Sequence, residues 1–228
     1  MKSIVLLSGG LDSVTLLHYV SNLGHQIHSL TFNYEQRNVD EILAARKIAT
    51  ELPVRSHLLV KIDAHTLGGS PLSVKGLPMP LNRSTEEIGS GKISPMYVPA
   101  RNTIFLAYAL AHAESVKADE IYFGANASDH AGFPDCRWDY FVAWQRMAEL
   151  ATARKGPKLH LPFIRMTKAE IVKLGLEMNV DYSGTVSCYQ QDKAGPCGAC
   201  DACVLRAEAF AANEAADPAL SVAEVVTQ

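Results

Sequence analysis

The chain has 228 residues, 48% of them hydrophobic, enough for one substantial core at the upper end of single-domain size. Its formal net charge of −3 excludes a broad polycationic field, so no stable complex with nucleic acid is expected, although local basic clusters remain available. Met1-Lys2-Ser3 runs into a strand-like stretch without a signal peptide's apolar length, and no run reaches transmembrane length, so a cytoplasmic protein with no membrane partner is expected.

Ile4 to Leu7 reads as a first strand, and Val14 to Leu23 carries apolar residues at helical spacing. Between them lies Ser8-Gly9-Gly10-Leu11-Asp12-Ser13. A strand, a glycine turn and a helix start leave backbone N–H groups at the positive end of the helix dipole, which favours an anion such as phosphate. Gly9 and Gly10 let the backbone approach, and the Ser8 and Ser13 hydroxyls add donors. No Lys stands where a Walker A loop requires one. A helix start merely capped by Asp12 or Ser13 is the competing reading.

His25 to Phe32 reads as a second strand, with His25 and His28 as edge residues rather than metal ligands. A helix from Gln36 to Leu52 and a third strand from Ser56 to Ile62 follow. This alternation predicts a doubly wound parallel α/β sheet whose ligands lie beyond the carboxyl ends of its strands. The Gly- and Pro-rich stretch 68–97 reads as a mobile flap, with Lys75, Arg83 and Lys92 as candidate phosphate contacts. Val98-Pro99-Ala100-Arg101-Asn102 opens a buried helix to Lys117. Arg101 there opposes the helix dipole, a conflict that an anion in front of it would resolve.

Glu120 to Gly124 reads as a fourth strand and Ala125 to Arg137 as a polar turn, in which Asp129 and Asp135 can cap the backbone around Gly132 and Pro134. Cys136 suits a small buried side chain better than a nucleophile. A helix from Trp138 to Lys155 and a fifth strand from Leu159 to Phe163 come next. Thr167-Lys168-Ala169-Glu170 is a capping box opening a helix to Met178, in which Lys168 is not needed for the cap.

Cys188, Cys197, Cys200 and Cys203 are spaced as tetrahedral ligands, and a shell of four thiolates leaves no open position for water. One structural Zn2+ is expected, contributing about 10 kcal/mol or more to ordering the segment. An iron–sulfur cluster is the main competitor, ahead of disulfides. A helix from Cys203 to Asn213 carries Arg206, and the residues from Ala215 on read as a surface or partner-packed tail.

The Ser8–Ser13 hexamer resembles the S-G-G-x-D-S loop of the PP-loop (N-type) ATP pyrophosphatases. Further on, Asp129 to Arg137 resembles the D-x-x-G-[YF]-P-D-C-R segment, and Val98 to Asn102 the V-P-G-R-N segment, of the 7-cyano-7-deazaguanine (preQ0) synthases. With the T-K-x-E-I stretch at Lys168 and the cysteines preceded by Asp181-Tyr182-Ser183, the resemblance spans nearly the whole chain. It implies an adenine nucleotide alpha hydrolase-like domain over residues 1–180, with a five-stranded, mostly parallel sheet. Residues 181–228 would form a small zinc-binding helical appendage.

The implied reaction converts 7-carboxy-7-deazaguanine and ammonia to the nitrile preQ0 at the expense of ATP, through an adenylate and an amide, in queuosine and 7-deazapurine biosynthesis. Ser8, Gly9, Gly10, Leu11, Asp12 and Ser13 would hold the phosphates, with Mg2+ near Asp12, while Lys168 and Arg101 act on them. Phe32 or Tyr34 would pack on adenine, unless they are ordinary strand-end aromatics. Asp129, Phe133, Asp135 and Arg137 would take the purine-like acid: a carboxylate accepts the paired donors of a guanine-type edge, and Arg pairs with an anion. A homodimer is the expected assembly, with ammonia arriving free or from a partner.

Departures from the family pattern are Ala100 for Gly, His130 for an aromatic residue, and Gly184 and Val186 for a bulkier Leu and Trp; the last pair implies a reshaped pocket. A relative that stops at the amide or activates another acid or tRNA base, and a zinc-stabilised RNA-binding module, are the alternatives.

Overall fold

The computed structural model describes residues 1–63, 67–74, 76–130, 132–191 and 195–220. Lys75, Ala131 and the chain from 221 onward, named above, lie outside the described residues.

Five strands form one parallel sheet: β1 (Lys2–Leu6), β2 (Gln26–Asn33), β3 (Val54–Lys61), β4 (Glu120–Tyr122) and β5 (Lys158–His160), in the order β3-β2-β1-β4-β5. The central strand β1 buries Ser3 and the consecutive apolar residues Ile4, Val5 and Leu6 because it is covered on both faces. Its alternate residues divide between two cores. Ile4 and Leu6 join Leu30, Phe32, Leu106, Leu110, Phe141 and Trp144 on one side. Val5 and Leu7 join Val14, Leu17, Ile27, Ile48, Phe163 and Ile171 on the other.

The helices are α1 (Leu11–Asn22), α2 (Asp40–Glu51), the short α3 (Thr85–Ile88), α4 (Arg101–Val116), α5 (Trp138–Ala151), α6 (Lys168–Glu177) and α7 (Asp201–Ala211). Helices α5 and α2 depart furthest from their sequence-based bounds. Helix α5 stops at Ala151 instead of Lys155 because the chain folds back over its last turn: a Cβ on Gly156 would stand 2.6 Å from the Ala148 carbonyl oxygen. Helix α2 starts at Asp40 instead of Gln36 because Gln36 and Asn38 fold their side chains into the turn after β2, Gln36 accepting from the Tyr34 N–H at 3.1 Å and donating to the Phe32 carbonyl at 3.2 Å.

From β1 the chain passes to β2 and β3 on one side, then returns to β4 and β5 on the other. This reversal opens a crevice beyond the carboxyl ends of β1 and β4. The glycine loop and the turn after β4 face each other across it, with Gly124 packed against Asp12.

Stretch 68–97 is anchored at several points. Leu67, Leu72 and Met96 are in the core, and Ser70 Oγ donates to the Met96 carbonyl at 3.0 Å. Arg83 pairs with Asp201 at 2.6 Å, and the Asn82 N–H donates to Ala199, docking the stretch on the cysteine segment. From the C-terminal segment, Tyr182, Ala209 and Phe210 enter the second core, with the Tyr182 hydroxyl 2.7 Å from Thr15 Oγ1.

Candidate active site

At the end of β1 the loop is shaped by its own hydroxyls. Ser13 Oγ accepts the N–H groups of Ser8 and Gly9 at 3.1 and 3.2 Å and donates to the Gly10 carbonyl at 3.0 Å. Ser8 Oγ accepts the Gly10 N–H at 3.2 Å. Gly10 is the N-cap of α1, in extended conformation, and no side chain closes the cap. Neither Asp12 nor Ser13 therefore caps the helix, and its first-turn N–H groups face the crevice as an anion-binding arrangement.

Opposite the loop, the capping box observed at Thr167 and Glu170 opens α6 and sets Lys168 at the first helical position. Its ammonium donates to Asp12 Oδ2, which also accepts from Asn126 Nδ2 at 3.3 Å. The other carboxylate oxygen, Asp12 Oδ1, is buried with no hydrogen-bond partner among the described residues. Burial works to lower the Lys168 pKa, but Asp12 and Asp129 outweigh it and hold the ammonium charged. Asp129 accepts from the Asn126 N–H at 3.2 Å; burial, and secondarily Asp12, raise its pKa against the pull of Lys168.

A cavity of about 290 Å³ extends from this centre. Phe32 and Phe105 stack at 4.1 Å with their planes 6° apart. Arg101 donates to the Tyr34 hydroxyl at 3.2 Å and lies over the Tyr34 and Phe105 rings. The phenol and the anionic groups around the guanidinium keep Arg101 charged despite burial. Its neighbour Ala100, the N-cap of α4, has φ 53, the left-handed region in which glycine is unstrained. Val186 lines the cavity, and its N–H donates to the Gly9 carbonyl at 3.0 Å; a Cβ on Gly184 would meet nothing within 4 Å.

The cavity brings together Ser8, Gly10, Leu11, Asp12, Ser13, Phe32, Arg101, Asp129, Phe133 and Lys168. Gly9 lies behind it, against α2. It does not bring in Asp135, whose carboxylate accepts the Asn102 N–H at 2.9 Å and caps α4, nor Arg137, which is exposed at the start of α5. Cys136 is buried, accepts from Asn102 Nδ2 at 3.1 Å, and has its thiol pushed well up by burial. Arg83 is engaged with Asp201, and Lys92 is exposed away from the cavity.

Among the lining residues that carried no functional signal in the sequence are Glu41 on α2, Tyr189 beside the first cysteine of the cluster, and Arg206. Arg206 grips Asp217 with two donors at 2.6 and 2.8 Å and reaches Thr185 and Ser187, holding the loop against which the Gly9 turn rests.

The sulfurs of Cys188, Cys197, Cys200 and Cys203 all lie within 4.8 Å of one another. N–H groups of Gln190 and Cys197 point at Cys188 Sγ, and that of Cys200 at Cys197 Sγ. Four convergent sulfurs with backbone donors behind them fit a tetrahedral metal ion. No other group of three or more His, Cys, Asp or Glu side chains among the described residues does so. His25 and His28 instead bond Ser3 and Ser56, at 2.8 and 2.7 Å.

Comparison with known proteins matches residues 2–214 to the family model described as queuosine biosynthesis protein QueC. The chain is 46% identical over 228 aligned residues to the 7-cyano-7-deazaguanine synthase of Rhodopirellula baltica, covering 96% of this chain and 91% of that one. It is 47% identical to the protein of the same name from Kineococcus radiotolerans, covering 95% and 96%. Among solved structures, NMN synthetase from Francisella tularensis is 14% identical with a TM-score of 0.46, covering 79% of this chain and 62% of that one. The chain belongs to the QueC family of queuosine biosynthesis proteins.

Proposed function

We propose that this chain converts 7-carboxy-7-deazaguanine, ammonia and ATP into the nitrile 7-cyano-7-deazaguanine, a step of queuosine biosynthesis. The observation that carries the reading is one cavity joining the uncapped start of α1, the Asp12–Lys168 pair and the Arg101, Phe133 and Asp129 wall. Relatives across the whole chain bearing the synthase name support it.

In this reading the substrate carboxylate attacks the α-phosphate of ATP and pyrophosphate departs toward the loop. Ser8, Gly10, Leu11 and Ser13 form that cradle with Gly9 supporting it from behind, and Lys168 balances the charge that builds on the phosphates. Ammonia then displaces AMP to give the amide. A second ATP activates the amide oxygen, and loss of AMP and protons leaves the nitrile. Phe32 and Tyr34 take the adenine side, and Asp129 and Phe133 the deazapurine side. Asp135 acts through the Asn102 N–H as a positioning residue for α4 and hence for Arg101. The stretch 68–97 meets the cavity at Leu72.

The unpartnered Asp12 Oδ1, with Asp129 close by, fits Mg2+, which would neutralise charge on the phosphates. The four cysteines would hold one structural Zn2+. No described helix is long and apolar enough to cross a membrane. A cytoplasmic homodimer using free ammonia completes the reading.

The test is product mass after incubation with ATP, ammonium and 7-carboxy-7-deazaguanine. The nitrile mass is expected, and Asp12→Ala should release no AMP. The amide as sole product would assign the chain to an amide-forming relative, and unchanged acid would overturn the reading. An RNA-binding module would instead show steeply salt-dependent affinity without AMP release.

A further inference from the structure

Three carboxylates line the cavity, and two are engaged. Asp12 is held by Lys168 and Asn126, and Asp129 accepts from the Asn126 backbone on the same side. The third, Glu41, sits in the first turn of α2, and no hydrogen-bond donor among the described residues reaches its carboxyl. Its main chain is fixed, because its carbonyl packs directly behind Gly9. Arg101 from α4 and Tyr34 from the end of β2 face it; the loop segment packed against it, at Gly9, presents backbone.

Of these facing groups, Arg101 stays charged and burial raises the Tyr34 phenol further, so neither changes state near neutral pH. Burial pushes Glu41 up to about 7 against the pull of Arg101. A carboxylate that is unpartnered, fixed in place and half-buried in a reaction cavity is free to take a proton, whereas Asp12 and Asp129 are tied to Lys168 and the phosphate side.

We propose that Glu41 is the proton acceptor for the nitrogen nucleophile, a role that rests on the reaction proposed above. The ammonia lone pair forms the C–N bond to the acyl carbon of the adenylate. One N–H proton passes to the Glu41 carboxylate, and the C–O bond to AMP breaks with AMP keeping the electron pair. Glu41 then releases its proton to water. Arg101 pulls against the burial that favours the protonated carboxyl.

The test separates the two halves of the reaction in Glu41→Gln and Glu41→Asp, each first checked for wild-type thermal unfolding. Acid-dependent exchange of pyrophosphate into ATP reports adenylation without ammonia, and in Glu41→Gln it should stay within about twofold of wild type. Ammonia-dependent turnover at fixed free ammonia should fall about 100-fold or more, with loss of the acid limb near pH 7. Glu41→Asp should retain that limb, and hydroxylamine in place of ammonia should narrow the deficit. Loss of exchange in parallel with turnover would make Glu41 a binding residue and overturn the proposal, as would turnover with the acid limb intact. Wild-type protein that neither exchanges nor turns over would overturn the reaction itself.

Discussion

The carbonyl oxygen of Glu41 lies 2.2 Å from where a Cβ on Gly9 would stand, and the Ala45 nitrogen lies 2.8 Å from it. Both obstacles are backbone of α2, and Gly9 has φ 90, so glycine is dictated here by packing and conformation together. Gly10 differs: a Cβ there would meet only Ser8 Oγ and the Val186 carbonyl, each at an ordinary 3.4 Å. Gly9→Ala is expected to cost about 3–5 kcal/mol and fail to fold stably. Gly10→Ala should keep its Tm within a few degrees while acid-dependent pyrophosphate exchange falls at least about tenfold, because the methyl stands where backbone must approach phosphate. Wild-type exchange in folded Gly10→Ala would remove the loop from the phosphate site.

Lys168 gives a second prediction. Lys168→Met should lower turnover by about 100- to 1000-fold by removing a cation from the developing charge. It also leaves the part-buried Asp12 carboxylate without its ion-pair partner, destabilising the fold by about 2 kcal/mol. The folded-state pKa of Lys168 is raised, so its stabilisation is fully present below the ordinary lysine pKa and is lost only as pH rises through the higher folded value. Urea unfolding at pH 6 and pH 9 should therefore give the same difference between wild type and variant; a difference that shrinks toward pH 9 would contradict this.

Ala100 occupies a glycine conformation. A left-handed alanine costs roughly 1–2 kcal/mol, and glycine gives back roughly 0.5–1 kcal/mol in chain entropy. Ala100→Gly should therefore stabilise the protein by about 0.5–1 kcal/mol, raising Tm by about 1–4 °C. Calorimetry checks this, and an unchanged or lower Tm would show that α4 carries no strain at its start.

The sheet and most helices were legible because short strand-like stretches alternate with apolar residues at helical spacing, and α6 announced itself by its capping box. Asp12, Lys168, Arg101 and the cysteines were legible because each breaks a structural expectation: a charge beside a glycine turn, a lysine the cap does not need, a cation at the wrong end of a dipole, four close thiols. Glu41 broke none. Its place in the cavity comes from how α2 leans on Gly9, a tertiary contact that spacing along the helix does not encode. Asp135 and Arg137 were drawn to the site by their motif, yet the Asp135 carboxylate is taken up by the N–H of Asn102 and Arg137 points to solvent.

Removal of a metal held by the four cysteines, which the proposed function places there, should reach the phosphate loop. Asn38, in the turn before α2, donates through Nδ2 to the Cys188 carbonyl at 2.6 Å. Two residues before Cys188, the Val186 N–H holds the Gly9 carbonyl, and Arg206 on α7 fastens Thr185 and Ser187 on either side of it. Without the ion, Cys188 and α7 lose their common anchor, and the support behind Gly9 loosens. Elemental analysis should find one Zn2+ per chain in colourless protein; charge-transfer absorption would mean an iron–sulfur cluster. Chelation should lower Tm by tens of degrees and abolish pyrophosphate exchange together, and added Zn2+ should restore both. Because the thiols must be deprotonated to hold the ion, protons compete with it, and the same losses should appear without chelator as pH falls. Stripped protein that exchanges pyrophosphate at the wild-type rate would show that the loop stands without the cysteine segment.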